Sequence, residues 1–395
     1  MKVCFETFGC RLNRAEALEE EAKFLARGWT RTESHADADL VVVRGCSVTA
    51  RAQRDCERLV EHLRRKYPLK RLVVSGCMSG RTPNFVLRGP VAGEAAPVPT
   101  RTARAYLKVQ DGCSGRCSFC IVPKFRGTSK SEDFDEVLDK ARRFVDAGYR
   151  EIVVTGCNLS LYASRGRRLP ELLAALAGLT PASPGSPGRC RVRLSSLEPS
   201  PVARDVVEAI AASPNLCRFL HLPIQSGSNG ILAAMRRPYL VKDLDALLGA
   251  IEERLPGCGL GCDIIAGFPG ETNIDFAATS GLFRRHLFNN LHVFPYSERP
   301  DTLAAAMPDA IPREVRSQRA HDLAAFAKKR RESFAAKFVG REVEVVVERE
   351  DSIAGWTGEY LWCRAANMTP RSLRKHLVRI RVHEARGDEL AGVVV

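Results

Sequence analysis

Apolar and polar positions alternate along the chain with two periods that take turns. Short apolar runs in "VCFETFG", "DLVVVRG" and "RLVVSG" read as buried strands. Between them, "EALEEEAKFLARG" and "AQRDCERLVEHLRRKY" repeat apolar residues at helical spacing. That order predicts an open parallel α/β sheet over residues 1–100. The stretch "RTPNFVLRGPVAGEAAPVPTRT" is rich in Pro and Gly and reads as a linker ending near Thr102. A second alternation follows. Strands are expected at "YLKVQDG", "EIVVTG", "RVRLSSLEP", "RFLHLPIQSG", "GLGCDIIAGFPG" and "NLHVFPYS", with helices such as "EVLDKARRFVDAG", "ELLAALAGL", "ARDVVEAIAAS" and "VKDLDALLGAIEERL" between them. Six βα units in a row predict a partial or full parallel barrel over 101–312, with "PASPGSPG" (181–188) as a surface loop. A basic helix over 313–337 leads to "REVEVVVERE", "GEYLWCRAA" and "HLVRIRVHEARGDELAGVVV". Those short strands and turn signals predict a small OB-like β-barrel over 338–395.

Composition narrows the class. With 45% hydrophobic and 27% charged residues in 395, the chain reads as a globular protein of several domains. The start "MKVCFETFGC" has no basic stretch followed by an apolar run, and no apolar segment reaches bilayer length, so a cytoplasmic protein without membrane contact is expected. A net charge of +14 favours a polyanionic partner such as nucleic acid. The fourteen cysteines do not suit a disulfide framework, which belongs to small secreted chains, and so suggest metal binding or chemistry.

The densest cysteine cluster is "DGCSGRCSFC", placing Cys113, Cys117 and Cys120 directly after a predicted strand. Three thiolates are one short of a closed tetrahedral zinc site, for which a zinc knuckle or chance clustering would be the reading. Thiolates are also the usual ligands of iron–sulfur clusters. The spacing resembles the CxxxCxΦC motif of the radical S-adenosylmethionine superfamily, with Phe119 at the aromatic position. That resemblance implies a [4Fe-4S] cluster whose open iron chelates S-adenosylmethionine, with Phe119 against the adenine. Strand-end residues Gly156, Glu198, Gln225 and Ser226 are the candidates for the wall of that site.

A second trio is spread through the first domain. Its three predicted strands each run into Gly-Cys: Gly9-Cys10, Gly45-Cys46 and Gly76-Cys77. In an open parallel sheet the carboxyl ends of strands form the binding edge, where three distant cysteines can converge. Buried packing is the alternative for any one of them. Across nearly its whole length the chain resembles the methylthiotransferases: "TFGCRLNRAEA" is similar to their GCxxNxxE start, and "HLPIQSGS" and "DIIAGFPGET" to their barrel strands. "RVRLSSLEP" and "HVFPYSERPDTLAA" look like the branch acting on N6-threonylcarbamoyladenosine at position 37 of tRNA. The last segment is similar to the RNA-binding TRAM domain.

The resemblance implies a second [4Fe-4S] cluster on Cys10, Cys46 and Cys77 that carries sulfur. One S-adenosylmethionine would methylate it, and a second would supply the radical that opens C2 of the adenine beside the anticodon. Asn13 and Glu16 would support that cluster, and Arg126 matches the family's Pro-x-x-Arg-Gly run. The partners implied are a tRNA anticodon stem-loop, S-adenosylmethionine, an electron donor and a sulfur donor. Two departures stand out: the interval from Cys77 to Cys113 is short and Pro-rich, so a trimmed first domain is expected, and "RGCSVT" and "GCMSG" differ from the commoner neighbours of those cysteines. Cys157 repeats the Gly-Cys strand end within the barrel, with no pairing cysteine. Cys258 and Cys262 lack a third partner, and Cys4, Cys56, Cys190, Cys217 and Cys363 read as packing residues. In the last segment "RSLRKHLVRIRV" offers phosphate contacts, and Trp356, Tyr360 and Trp362 are either base-stacking or core aromatics.

Overall fold

The computed structural model describes residues 1–46, 48, 50–78, 103–180, 189–349, 351–366 and 373–395. The predicted linker and the loop 181–188 lie outside these residues, as do 371–372 of the basic stretch before the last strands. Among the described residues, no helix is long and apolar enough to cross a membrane.

The N-terminal sheet is parallel throughout, in the order Thr30–Arg31, Lys2–Thr7, Leu40–Gly45, Arg71–Gly76. Alternate residues of its strands enter two cores. Val3, Leu40, Val42 and Val73 meet Phe24, on the helix Arg11–Ala26; Cys4, Val41 and Val43 meet Cys56, Val60 and Leu63, on the helix Ala50–Lys66. Burial on both faces is why the strands read as unbroken apolar runs. Thr30–Arg31 escaped the sequence pattern because it is two residues long and neither is apolar.

Six parallel strands follow in two sheets of three: Ala105–Lys108, Glu151–Thr155 and Arg191–Leu194, then Phe219–Gln225, Gly259–Ala266 and Asn290–Pro295. Parallel bridges Val192–Leu216 and Ser196–His221 join the sheets. The first and last strands are edges, so the barrel is partial. Leu107, Ile152, Val154, Val192, Leu220 and Ile264 point into one core with the surrounding helices. Their neighbours face the other way, as strand periodicity requires. There Tyr106 and Val153 receive Ala15 of the N-terminal helix, which therefore packs against the concave face.

Further down that face, Glu151 is fully buried among cations. Arg191 and Arg193 pair with it at 2.6 and 2.8 Å, and Arg104 lies at 3.7 Å. Burial opposes its charge, but Arg193 and Arg191 outweigh that and hold its carboxyl well below the usual carboxylate range. The same arginines clamp the C-terminal unit: Arg191 donates to the carbonyls of Glu344 at 2.8 Å and Trp356 at 2.6 Å, and Arg193 to that of Thr357 at 2.6 Å. Glu151→Gln would remove the carboxylate paired with buried Arg193 and, among the described ion pairs, leave buried Arg191 only Glu344, at 3.8 Å. We expect a loss of about 3–5 kcal/mol, read as a lower urea midpoint; a change below about 1 kcal/mol, the range of an exposed pair, would contradict it.

The C-terminal unit is a closed barrel of five strands in the order Glu342–Val347, Ile353–Thr357, Trp362–Ala365, Glu389–Val394, Leu377–Arg386. Phe334 and Phe338, at and just beyond the end of the helix Arg313–Ala336, enter its core beside Ile353, Cys363 and Ile380. Of the two readings of its aromatics, packing describes Trp356 and Tyr360. Trp356 stacks on Tyr360 with centroids 4.4 Å apart, and Trp362 meets Trp356 edge-on at 5.1 Å. Arg11 and Arg193 each lie 5.1 Å over Tyr360, and Arg104 lies 5.8 Å over Trp356. Cation–π contacts with the N-terminal helix and the large barrel hold these two rings, so their faces serve docking of the terminal barrel rather than a nucleic-acid base.

Candidate functional site

The three N-terminal Gly-Cys pairs follow strands that are neighbours in the sheet, and Gly45 stands opposite Gly76. Cys10, Cys46 and Cys77 thereby emerge from one carboxyl edge, Cys46 and Cys77 buried and Cys10 exposed. Glycine is required at position 9. Its φ is +93°, and an added Cβ would lie 2.7 Å from the Cys46 sulfur. Cys10 occupies the N-cap position of the helix Arg11–Ala26. Burial pushes the Cys77 thiol up, and Arg126 draws it back. Cys56, read from sequence as packing, lies fully buried beneath this edge; an added Cβ on Gly45 would be 2.9 Å from its sulfur.

Asn13, Glu16 and Arg126 meet at this edge. The Asn13 amide donates to the carbonyls of Phe8 at 2.8 Å and Gly45 at 3.0 Å, tying together the loops that precede Cys10 and Cys46. Its oxygen accepts from Arg126 at 2.7 Å. Arg126 also donates to both Glu16 oxygens at 3.0 Å, to Asp111 at 2.9 Å and to the Cys77 sulfur at 3.2 Å. Arg44 and Lys108 complete the ring around Glu16. Burial alone would raise the Glu16 carboxyl; the surrounding cations outweigh it and lower the pKa.

The second trio lies on a loop pinched at its base. Gln110–Asp111 pairs antiparallel with Lys130–Ser131, and Cys113 donates its N–H to the Gly127 carbonyl at 3.0 Å. Gln110 is fully buried and anchors the base: its amide donates to Asp111, Gly112 and Ser129, and its oxygen accepts from the Asn158 N–H at 2.9 Å. Gly156 makes room for it, since an added Cβ would sit 2.8 Å from the Gln110 oxygen. Donors surround the sulfurs. Gly115 N–H reaches Cys113 at 3.3 Å, and Arg237 reaches Cys117 at 3.2 Å. Burial pushes the Cys120 thiol up to about 11.

The other sequence candidates have unequal freedom. Phe119 is half-buried, packing edge-on to Phe268 at 6.5 Å beside Ile231 and Met235. Glu198 pairs with Arg237, which also donates to the Pro223 carbonyl and the Tyr239 hydroxyl. Gln225 has φ +72° just after a register shift in its strand, which re-aims its side chain. The Ser226 hydroxyl is buried against Thr279 at 3.3 Å and accepts from the Ser228 N–H at 3.2 Å.

Sequence reasoning passed over Arg237, Gln110, Asp111 and Lys108. The one usable signal was Asp111, standing two residues before Cys113. Cys157 does find a partner: its thiol lies 3.6 Å from Asp111, and burial, followed by nearby Asp111 and Cys10, pushes its pKa up against the pull of Arg126. Cys258 and Cys262 are buried, as are Cys4, Cys190, Cys217 and Cys363.

The donor chemistry suits clusters better than a single ion. Among the described residues, the triads with ligand atoms all within 4.8 Å of one another are Cys4–Glu6–His35 and His221–Asp263–His292; neither cysteine trio is drawn that tight. N–H donors are aimed at sulfur in both trios, Arg126 at Cys77 and Gly115 and Arg237 at Cys113 and Cys117, as iron-bound thiolates accept, and neither trio has a fourth cysteine on the same edge or loop.

Residues 107–282 match the Radical SAM superfamily, and residues 2–92 match a family described as "Uncharacterized protein family UPF0004". The chain is 31% identical to the threonylcarbamoyladenosine tRNA methylthiotransferase MtaB of Bacillus subtilis, an alignment covering 91% of this chain and 89% of that protein. It is also 31% identical to a tRNA-2-methylthio-N(6)-dimethylallyladenosine synthase of Cereibacter sphaeroides, covering 99% and 98%. Among solved structures, the radical S-adenosylmethionine methyltransferase TsrM of Kitasatospora setae superposes with TM-score 0.56 at 15% identity, covering 77% of this chain and 75% of that one. At that identity the likeness is one of fold.

Proposed function

The chain belongs to the radical S-adenosylmethionine tRNA methylthiotransferases, and from that premise we propose that it adds a methylthio group to C2 of N6-threonylcarbamoyladenosine at position 37, beside the anticodon. The observation that carries the two-centre part of this reading is Arg126, which joins the edge bearing Cys10, Cys46 and Cys77 to the loop bearing Cys113, Cys117 and Cys120. The choice of base rests on "RVRLSSLEP" and "HVFPYSERPDTLAA", with the Bacillus relative in support.

When bound, S-adenosylmethionine and two [4Fe-4S] clusters supply the 5′-deoxyadenosyl radical and the methylthio group. The chain's own residues hold and orient. Cys113, Cys117 and Cys120 are the ligands of the radical centre, with Arg237 and the Gly115 N–H fixing two of the sulfurs. Phe119, Gly156, Glu198, Gln225 and Ser226 shape the adjoining wall, Gly156 and Ser226 by packing. Cys10, Cys46 and Cys77 are the ligands of the sulfur-bearing centre, and Asn13 holds two of their loops together. The cation-rich surface suits a tRNA stem-loop through its phosphates.

Nucleoside mass spectrometry of tRNA from a strain lacking the gene tests the substrate. Unthiolated threonylcarbamoyladenosine should accumulate in place of its methylthio form. If the dimethylallyl nucleoside loses its methylthio group instead, the assignment of the base is wrong while the reaction class stands.

A further inference from the structure

We infer that Arg126 is the strut that sets the sulfur-bearing centre at a fixed position relative to the radical centre, and that it tunes the former through Cys77. The inference rests on the two-centre reading above.

Arg126 is tied to the radical loop at both ends of the cysteine motif. The helix Val122–Arg126 begins two residues after Cys120. Gly127, directly after Arg126, accepts the N–H of Cys113 at 3.0 Å. Its side chain then crosses to the other domain. Nε donates to Cys77, one terminal nitrogen to Glu16 and Asp111, and the other to Asn13 and Glu16. Those bonds occupy the whole donor set of a guanidinium, and their directions follow from its planar shape. With its side chain only 8% exposed, the group is shielded from the solvent that would weaken these bonds.

Each acceptor has a separate hold on its own domain. Asn13 grips the loops before Cys10 and Cys46, and Glu16 is held by Arg44. Asp111 is held by Lys108 at the root of the radical loop. A shift of either loop would therefore break several bonds at one residue. Lysine could keep the charge but could not reach Cys77, Asn13 and Asp111 in one plane. An N–H and a positive charge at a ligand sulfur favour the reduced cluster, so loss of Arg126 should make that centre harder to reduce.

The test uses the full chain, reconstituted anaerobically, as Arg126→Gln and Arg126→Lys. To isolate the N-terminal centre, both changes are also made with Cys113, Cys117 and Cys120 replaced by alanine, and its midpoint potential is followed by EPR. In that background the midpoint should fall in Arg126→Gln and lie between the two in Arg126→Lys, with about four irons kept. With all cysteines present, the ratio of 5′-deoxyadenosine to methylthio product should rise in Arg126→Gln by up to about 10²-fold, the scale of a misplaced reacting group. Loss of the N-terminal irons alone also supports the strut. An unchanged midpoint and ratio in a variant holding about eight irons overturns it, as does loss of both centres, which would make Arg126 a folding residue. If the parent protein never exceeds about four irons, the two-centre reading fails instead.

Discussion

Alanine at any one of Cys113, Cys117 or Cys120 should reduce 5′-deoxyadenosine formation to background in an anaerobic reaction of protein, S-adenosylmethionine and dithionite. The loop leaves no substitute ligand. It is closed at its base by the Gln110–Asp111 and Lys130–Ser131 pairing and by the Cys113–Gly127 bond, so its sulfurs cannot be replaced by sliding the chain. Cys157, beside this loop in the fold, is already engaged, its thiol held against Asp111 at 3.6 Å. The N-terminal trio should still load about four irons in these variants, because its edge is built from a separate sheet. Cys363→Ser is the control, since that residue lies in the core of the terminal barrel and should leave the reaction unchanged. Substantial deoxyadenosine from a folded Cys117→Ala protein would show that the motif does not form the radical centre.

Replacing Cys10, Cys46 and Cys77 together by alanine should have the complementary effect. Reductive cleavage continues, while methylthio nucleoside disappears from the same reaction mixture supplied with tRNA. The separation is expected because the contacts of the radical loop to Gln110, Asn158 and Arg237 all lie within the barrel region. Among the described contacts, Arg126 loses the bond from Nε to Cys77 in this variant, but its terminal nitrogens retain Asn13, Glu16 and Asp111, so the junction keeps its shape. Methylthio product from the folded triple variant would sink the assignment of sulfur delivery to this trio and direct attention to Cys157.

Much of this molecule can be read from local pattern. The six barrel strands were legible because one face of each meets the helical layer, as Ile152 and Leu220 do, so that short apolar runs recur between amphipathic helices. Both cysteine trios were legible for a related reason. One is packed into eight consecutive positions, and the other repeats Gly-Cys at strand ends whose common edge follows from parallel topology. The two-residue strand at Thr30 was not legible, having no periodicity to display.

What the sequence determined by itself, then, is which elements form and which residue types carry the chemistry, because both depend on neighbours a few positions apart. The tertiary structure decided how those residues are used. Arg126 could be taken for a surface arginine until the fold brought Cys77, 49 positions away, and Asn13, 113 positions away, to its guanidinium. Arg237 reaches Cys117 across 120 positions, and no spacing rule links them. Trp356 and Tyr360 have the composition of a nucleic-acid surface, yet Arg104, Arg193 and Arg11 claim their faces once the large barrel and the N-terminal helix dock on them. A guanidinium or an aromatic ring is equally at home in water or against a partner, so its sequence neighbours say little about where it will lie. Which of the two it finds is settled by packing between segments that are distant along the chain.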